Sequence, residues 1–249
     1  MLETDIFKFC SYDNAEIIVS SQLLKFSNPT LFNDPFDCDI NLLRFDFNDC
    51  CPEVLNELEE IKAQFVKTHG TEILKRIENI PISKIEDFYK GSQLKKISRS
   101  SICCFSKDHL NTTLWAHYAD NHYGISLIFD LLEEHPFVGY DTRKFGRGPV
   151  YYNNNSSFNY LKSKEQGIAK LFFSKSKDWE YEKEYRFQIT EESGLFKFNK
   201  SFLKGVVFGL RVSEDKIIRF KTICKKFGFG NLMFFKFTKK ELNMSLNEV

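Results

Sequence analysis

The stretch Lys177–Thr190, KDWEYEKEYRFQIT, decides how the rest of the chain is read. From Glu182 to Ile189 it alternates without a break. Glu182, Glu184, Arg186 and Gln188 fall on one side, and Lys183, Tyr185, Phe187 and Ile189 on the other. A strand sends successive side chains to opposite faces, so the second set can face a core while the first forms a polar row. Two carboxylates two residues apart on one strand face lie close enough to couple, and Arg186 beside them can tune both. The same pattern also fits a solvated edge strand carrying a Glu–Arg pair.

Working outward, the chain's 249 residues suit one large domain or two small ones. Hydrophobic content of 42% against 28% charged leaves ample apolar surface for a core. The 27 phenylalanines predict an aromatic interior. No apolar run approaches the ~18–20 residues of a membrane span, and MLETDIFKF carries acids where a signal peptide needs a basic flank. This predicts a cytoplasmic protein with no membrane partner. Seven cysteines include no CxxC and no zinc-type Cys/His spacing, so reduced thiols and no metal are expected. The net charge of +1 conceals an acid-rich segment 1–60 and a base-rich segment 195–240, where only Glu214 and Asp215 oppose the lysines and arginines. Such a basic surface can meet an anionic partner, nucleic acid or a dinucleotide, or dock on the chain's own acidic half.

Taken in order, Asp5–Phe9 reads as a strand, Tyr12–Ser20 as a short helix or turn, and Leu23–Ser27 as a second strand. SNPTLFNDPFDCDI follows, where Asn-Asp-Pro favours a turn. Its aspartates Asp34, Asp37 and Asp39 usually cap or turn backbone, a metal-binding cluster being the sharper alternative. Pro52–Ile80 has helical spacing broken at His69-Gly70, with Ile73, Leu74 and Ile77 continuing beyond, and Glu86–Ile97 adds a third helix. Ser101–Ser106 is an apolar strand, Asn111 caps a short helix bearing Leu114, Trp115 and Tyr118, and Ile125–Asp130 is a buried strand. Residues 133–166 read as a long loop with Val150–Tyr152 as the one strand signal. Gly205–Leu210, a helix capped by Ser213 and closed by Gly228, and Leu232–Phe237 form a strand–helix–strand unit over 205–237. The predicted fold is therefore one α+β domain over 1–242. It has a mixed, mostly antiparallel sheet core, a helical insertion at 52–98 and a frayed tail at 243–249.

Three stretches together resemble a bacterial family known as a domain of unknown function: FNDPFD (Phe32–Asp37), CFS leading to LWAHYADNHYG (Cys104–Gly124), and WEYEKEYR (Trp179–Arg186). Some relatives in that family carry an abortive-phage-infection label. A second resemblance is to the ADP-ribosyltransferase fold. There a first strand supplies a His or Arg that holds NAD, a middle strand ends in a serine motif before an aromatic-bearing helix, and a late strand carries the catalytic Glu. Phe105-Ser106 followed by Trp115-Ala-His117-Tyr118 looks like the middle element, and Glu182-Lys-Glu184 like the last.

That resemblance implies an NAD-consuming transferase or glycohydrolase acting as an anti-phage or toxin-type effector. Glu184 would stabilise the transition state and Glu182 orient the ribose or the acceptor, a protein or nucleic acid. Tyr118, Trp115 and Ser106 would line the nicotinamide pocket. Arg186 would pair with Glu184 or a substrate phosphate. The first strand, DIFKFCS, departs from the pattern, offering Lys8 in place of a planar cation. His117, with His122 nearby, is an acid–base candidate or a packed helix histidine. Two other readings stay open: a Mg²⁺-dependent nuclease built on Asp34, Asp37, Glu182 and Glu184, and a non-catalytic sensor that binds a defence-system partner.

Overall fold

The computed structural model describes residues 3–49, 51–71, 81–134, 136–139, 144–153, 157–190, 193–240 and 243–249. Along the chain the first strands are β1 (Asp5–Cys10), β2 (Leu23–Phe26), β3 (Leu43–Arg44), β4 (Ser101–Ser106), β5 (Ile125–Asp130), β6 (Phe145–Pro149) and β7 (Tyr151–Asn153). They continue as β8 (Phe158–Asn159), β9 (Ser174–Ser176), β10 (Glu184–Ile189), β11 (Gly194–Lys197), β12 (Leu203–Phe208), β13 (Met233–Lys240) and β14 (Asn243–Glu248). The fold is α+β, and the chain divides into two compact units. The first comprises Met1–Ser27, Ser101–Val150 and Asp178–Val249, the second Asn28–Ser100 and Tyr151–Lys177.

The first unit is built on an eight-stranded sheet in the order β14-β13-β12-β5-β1-β4-β10-β6. Every neighbouring pair is antiparallel except β12 and β13, whose parallel pairing is the consequence of the helix Glu214–Lys226 between them. One face carries Ile6, Phe105, Leu127, Phe129, Phe187, Val206 and Phe208 into the main core. The helices Tyr12–Ser21 and Glu214–Lys226 close that core with Ala15, Val19, Ile217 and Phe220. The abundance of phenylalanine is spent here: the Phe105 ring meets Phe129, Phe187 and Phe202 edge-on. On the opposite face Phe7, Ile128 and Val207 pack with Trp115, Ala119 and Phe237. Cross-strand partners share a face, so the registers Phe7–Ser106 and Ser106–Glu184 put these three residues on that second face.

In the second unit the helices Pro52–His69 and Ile82–Arg99 stand where helical periodicity predicts them, the second running beyond the expected 86–97. The segment around Ile73, Leu74 and Ile77 lies outside the described residues. Phe47, Val54, Ile61 and Leu161 form this unit's own small core. The unit takes in the expected insertion at 52–98 and reaches well past it on both sides.

Several elements differ from the sequence expectation. Residues 133–166 hold β6, β7, β8 and the start of the helix Lys164–Phe173 rather than a single loop. The tail expected to fray pairs along β13 as β14, from Lys240–Asn243 to Phe235–Glu248. Ser213 occupies the helix N-cap without a side-chain hydrogen bond, whereas Ser11 and Asn111 do cap their helices. No helix among the described residues is long and apolar enough to cross a membrane.

Candidate functional site

The alternation in Glu182–Ile189 is interrupted at its start. Lys177–Glu182 forms a 3-10 turn and Lys183 adopts φ 43°, so β10 begins only at Glu184. A lysine in the left-handed region is uncommon and needs outside support. The loop after β4 supplies it. The Lys107 N–H donates to the Lys183 carbonyl at 2.9 Å, and the Lys183 ammonium meets Asp108 Oδ2 at 2.9 Å. Asn111, while capping its helix, donates from Nδ2 to the Tyr181 carbonyl at 2.9 Å. Ser106 donates from Oγ to the Glu182 carbonyl at 2.6 Å and accepts the Asp108 N–H at 2.9 Å. Burial works against charge on Asp108, yet the Lys183 ammonium and the Leu110 N–H hold its carboxyl below the usual range.

The two candidate glutamates are thus held by different elements. Glu182 is 2% exposed, and its Oε1 accepts the Tyr118 hydroxyl at 2.7 Å from the end of the helix Thr112–Tyr118. Glu184 is 9% exposed and its Oε2 accepts Arg186 Nε at 2.6 Å, with the guanidinium wholly buried. Gln188, next in the row, is also buried. A solvated edge strand is therefore not what the polar row makes: β10 lies between β4 and β6, and its charges are interior. Carboxylates fixed in this way can hydrogen-bond sugar hydroxyls and stabilise a developing positive charge without reorganising.

The other candidates divide. Tyr118 and Ser106 converge on Glu182, but the Ser106 hydroxyl is engaged in holding backbone rather than open as a nucleophile. Trp115 is fully buried, donating Nε1 to the His109 carbonyl at 2.8 Å and meeting Phe9 edge-on, so it is core rather than pocket lining. His117 is exposed, its ring 6.1 Å from that of Tyr118. Lys8 does not reach the Glu184 row. Adjacent to Phe7 on β1, it points to the opposite face, where Nζ donates to the Cys104 carbonyl at 2.8 Å and sits over the Phe105 ring. Burial pushes the neighbouring Cys10 thiol up to about 12, so it is inert as a nucleophile near neutrality.

Sequence reasoning missed two features. One is the Asp108–Asn111 clamp, whose Asp-x-x-Asn spacing reads as an ordinary turn and cap. The other is a left-handed turn after the Tyr118 helix, with φ of 47°, 51° and 70° at Asp120, Asn121 and His122. Each such residue costs about 1–2 kcal/mol, and Asp, Asn and His are the types that tolerate it best. Arg211 anchors the turn through its own N–H to the His122 carbonyl at 3.0 Å, and the His122 ring stacks on Trp115. Among the described residues no group of three or more His, Cys, Asp or Glu is placed to hold a metal ion. Asp34 and Asp37 belong to the second unit, Glu182 and Glu184 to the first.

Over residues 114–187 the chain matches a family described as a protein of unknown function (DUF2971). That span runs from the Tyr118 helix to Phe187 and includes both glutamates and Arg186, while Ser106 and the FNDPFD stretch lie outside it. No curated protein and no solved structure matches the chain.

Proposed function

We propose that the chain is an NAD-consuming enzyme of the ADP-ribosyltransferase type, working as an effector in bacterial anti-phage defence. The observation that carries this reading is the row Phe7–Ser106–Glu184 across three adjacent strands, with the Tyr118 hydroxyl and Ser106 both fastened to Glu182. The resemblance implies these three strands in chain order, first, serine-bearing and glutamate-bearing, and here they lie side by side. In the proposed reaction the bond between the nicotinamide ring nitrogen and ribose C1′ breaks, and its electron pair leaves with nicotinamide. Positive charge grows on C1′ and the ring oxygen, facing the Glu184 carboxylate that Arg186 fixes in place. Glu182 orients a ribose hydroxyl or the acceptor, and Tyr118, 37% exposed, offers a ring face to nicotinamide while its hydroxyl holds Glu182. Water or an acceptor nucleophile then adds to C1′ and loses a proton. β1 brings no cation to this row, so the substrate phosphates must be held by other residues.

The defence setting rests on the motif resemblance to abortive-infection-labelled relatives. The test is nicotinamide release from NAD, alone and with phage-derived or cellular extract as acceptor. Glu184→Gln, checked for retained folding by thermal melting, should lower the rate about 100-fold or more. Absence of nicotinamide under every condition would remove the enzymatic reading.

A further inference from the structure

The second unit holds a cleft of about 400 Å³ between two of its helices. Glu57, Glu60, Ile61 and Gln64 line it from the helix Pro52–His69. Tyr89, Ser92, Gln93 and Lys96 line it from the helix Ile82–Arg99. Each set has the spacing of a single helix face, so the side chains themselves form the two walls. Glu57, 9% exposed, is held by two donors: the Tyr89 hydroxyl reaches its Oε1 at 3.0 Å and Lys164 Nζ its Oε2 at 2.8 Å. Gln93 is different. It stands in the middle of its lining face, with Tyr89 and Ser92 before it and Lys96 after, so its side chain projects into the cleft. The residue is 6% exposed, and its amide has no hydrogen-bond partner among the described residues. Tyr160, 2% exposed and also on the wall, likewise has a hydroxyl without a partner among them. Buried polar groups are nearly always paired, so these two take their partners from whatever occupies the cleft.

The cleft falls within the ~300–1,000 Å³ range of small-ligand sites. Its charges balance, Glu57 and Glu60 against Lys96 and Lys164, so no net field selects an anion or a cation. The tyrosines offer hydroxyls rather than free ring faces: Tyr160 packs against Gly167 and Phe45, and Tyr89 meets Phe47 edge-on. Burial raises both phenols, helped at Tyr89 by the Glu57 carboxylate, so they remain O–H donors at neutral pH. A wall that mixes amides, hydroxyls, carboxylates and ammonium groups suits a ligand whose groups donate and accept at once, which is what hydroxyls do. We propose that this cleft binds an uncharged polyhydroxylated molecule, a sugar or cyclic polyol, with the Gln93 amide as its anchor. The inference is independent of the NAD reading, since it concerns the second unit alone and is read by binding, not turnover.

Calorimetric titration of the full chain tests it with ribose, glucose and myo-inositol as neutral polyols. Adenine serves as a flat base without hydroxyls, and glucose 6-phosphate as a charged counterpart. At least one polyol should bind at millimolar concentration, with adenine weaker than ribose and the phosphate no tighter than glucose. Gln93→Leu keeps the approximate size of the side chain and removes its amide, and should weaken binding about tenfold, the loss of one or two hydrogen bonds. Gln64→Trp, at an exposed position on the opposite wall, obstructs the cleft and should abolish binding. That position is on the surface, so this variant keeps the test decisive even where melting curves show Gln93→Leu to be unfolded. No binding of any polyol, undiminished binding by either folded variant, adenine as tight as ribose, or a tighter phosphate overturns the proposal.

Discussion

Arg186→Met asks whether the polar row of β10 is a paired interior. The guanidinium is fully buried and its Nε meets Glu184 Oε2 at 2.6 Å, with Glu184 itself 9% exposed. Methionine retains much of the alkyl stem and removes the cation, so the Glu184 carboxylate stays buried without it. Breaking one side of a buried pair costs about 3–5 kcal/mol. For a chain of this length each kcal/mol moves the melting temperature by about 2–4 °C. The variant should therefore melt roughly 6–20 °C below the parent. Lys183→Met is the control: its salt bridge to Asp108 spans 2.9 Å, but the lysine side chain is 61% exposed, and a pair of that kind contributes about 0–1 kcal/mol. Circular dichroism during heating supplies the comparison. Adding Glu184→Gln should destabilise the parent but restore part of the loss in the Arg186→Met background, because it removes a buried charge that the guanidinium no longer balances. If Arg186→Met melts no lower than Lys183→Met, the argument from burial fails.

Two further outcomes follow from the geometry around the same sheet. Gly124→Ala would place a Cβ 2.3 Å from the Cys10 carbonyl oxygen and 2.8 Å from that of Ala119, both backbone atoms that cannot swing aside. The urea midpoint should fall by the equivalent of about 1–3 kcal/mol, and an unchanged midpoint would contradict the close approach. Stability should also fall on acidification. Burial holds the His109 imidazole, stacked on Phe7 at 4.9 Å, below its ordinary 6.5, and burial followed by Arg211 does the same to His122. Each folded value lies under the unfolded one, so this stability is complete above 6.5 and is lost as the pH falls below it. Urea midpoints measured from about pH 7.5 down to about pH 5 should show that slope, and His109→Gln should flatten it.

How much of this was legible depended on whether the cause was local. The apolar runs SICCFS, ISLIFD and GVVFGL are buried strands because nothing but a sheet interior accommodates them, and β4, β5 and β12 fall there. Period two in the EYRFQI segment gave β10, but its first residue was set by Lys183, whose left-handed backbone depends on Lys107 and Asp108 some seventy residues earlier. No window of the sequence contains that information. NMSLNE has too few apolar residues to announce a strand, and β14 owes its state to hydrogen bonds with β13. The helix Lys164–Phe173 starts inside the 133–166 stretch that reads as a loop, and it carries a glycine at Gly167. In the fold a Cβ there would strike the Tyr160 ring at 2.4 Å, so the glycine serves packing.

The interruption at Lys183 also separates the two glutamates in a way that a ladder would not. On a continuous strand Glu182 and Glu184 would have stood on one face about 7 Å apart, sharing neighbours and competing for the same cation. The turn instead hands the Glu182 carboxylate to Tyr118 of the helix, while Ser106 at the end of β4 fixes its backbone. Glu184 is left to the strand, where Arg186 takes the other role. The two carboxylates thus have separate side-chain partners. The proposed chemistry divides its labour along the same line. Charge stabilisation at C1′ suits the acid that is held rigidly in place on the strand, which is Glu184. Orientation of a hydroxyl or an acceptor suits the acid tied to a part-exposed tyrosine, which is Glu182.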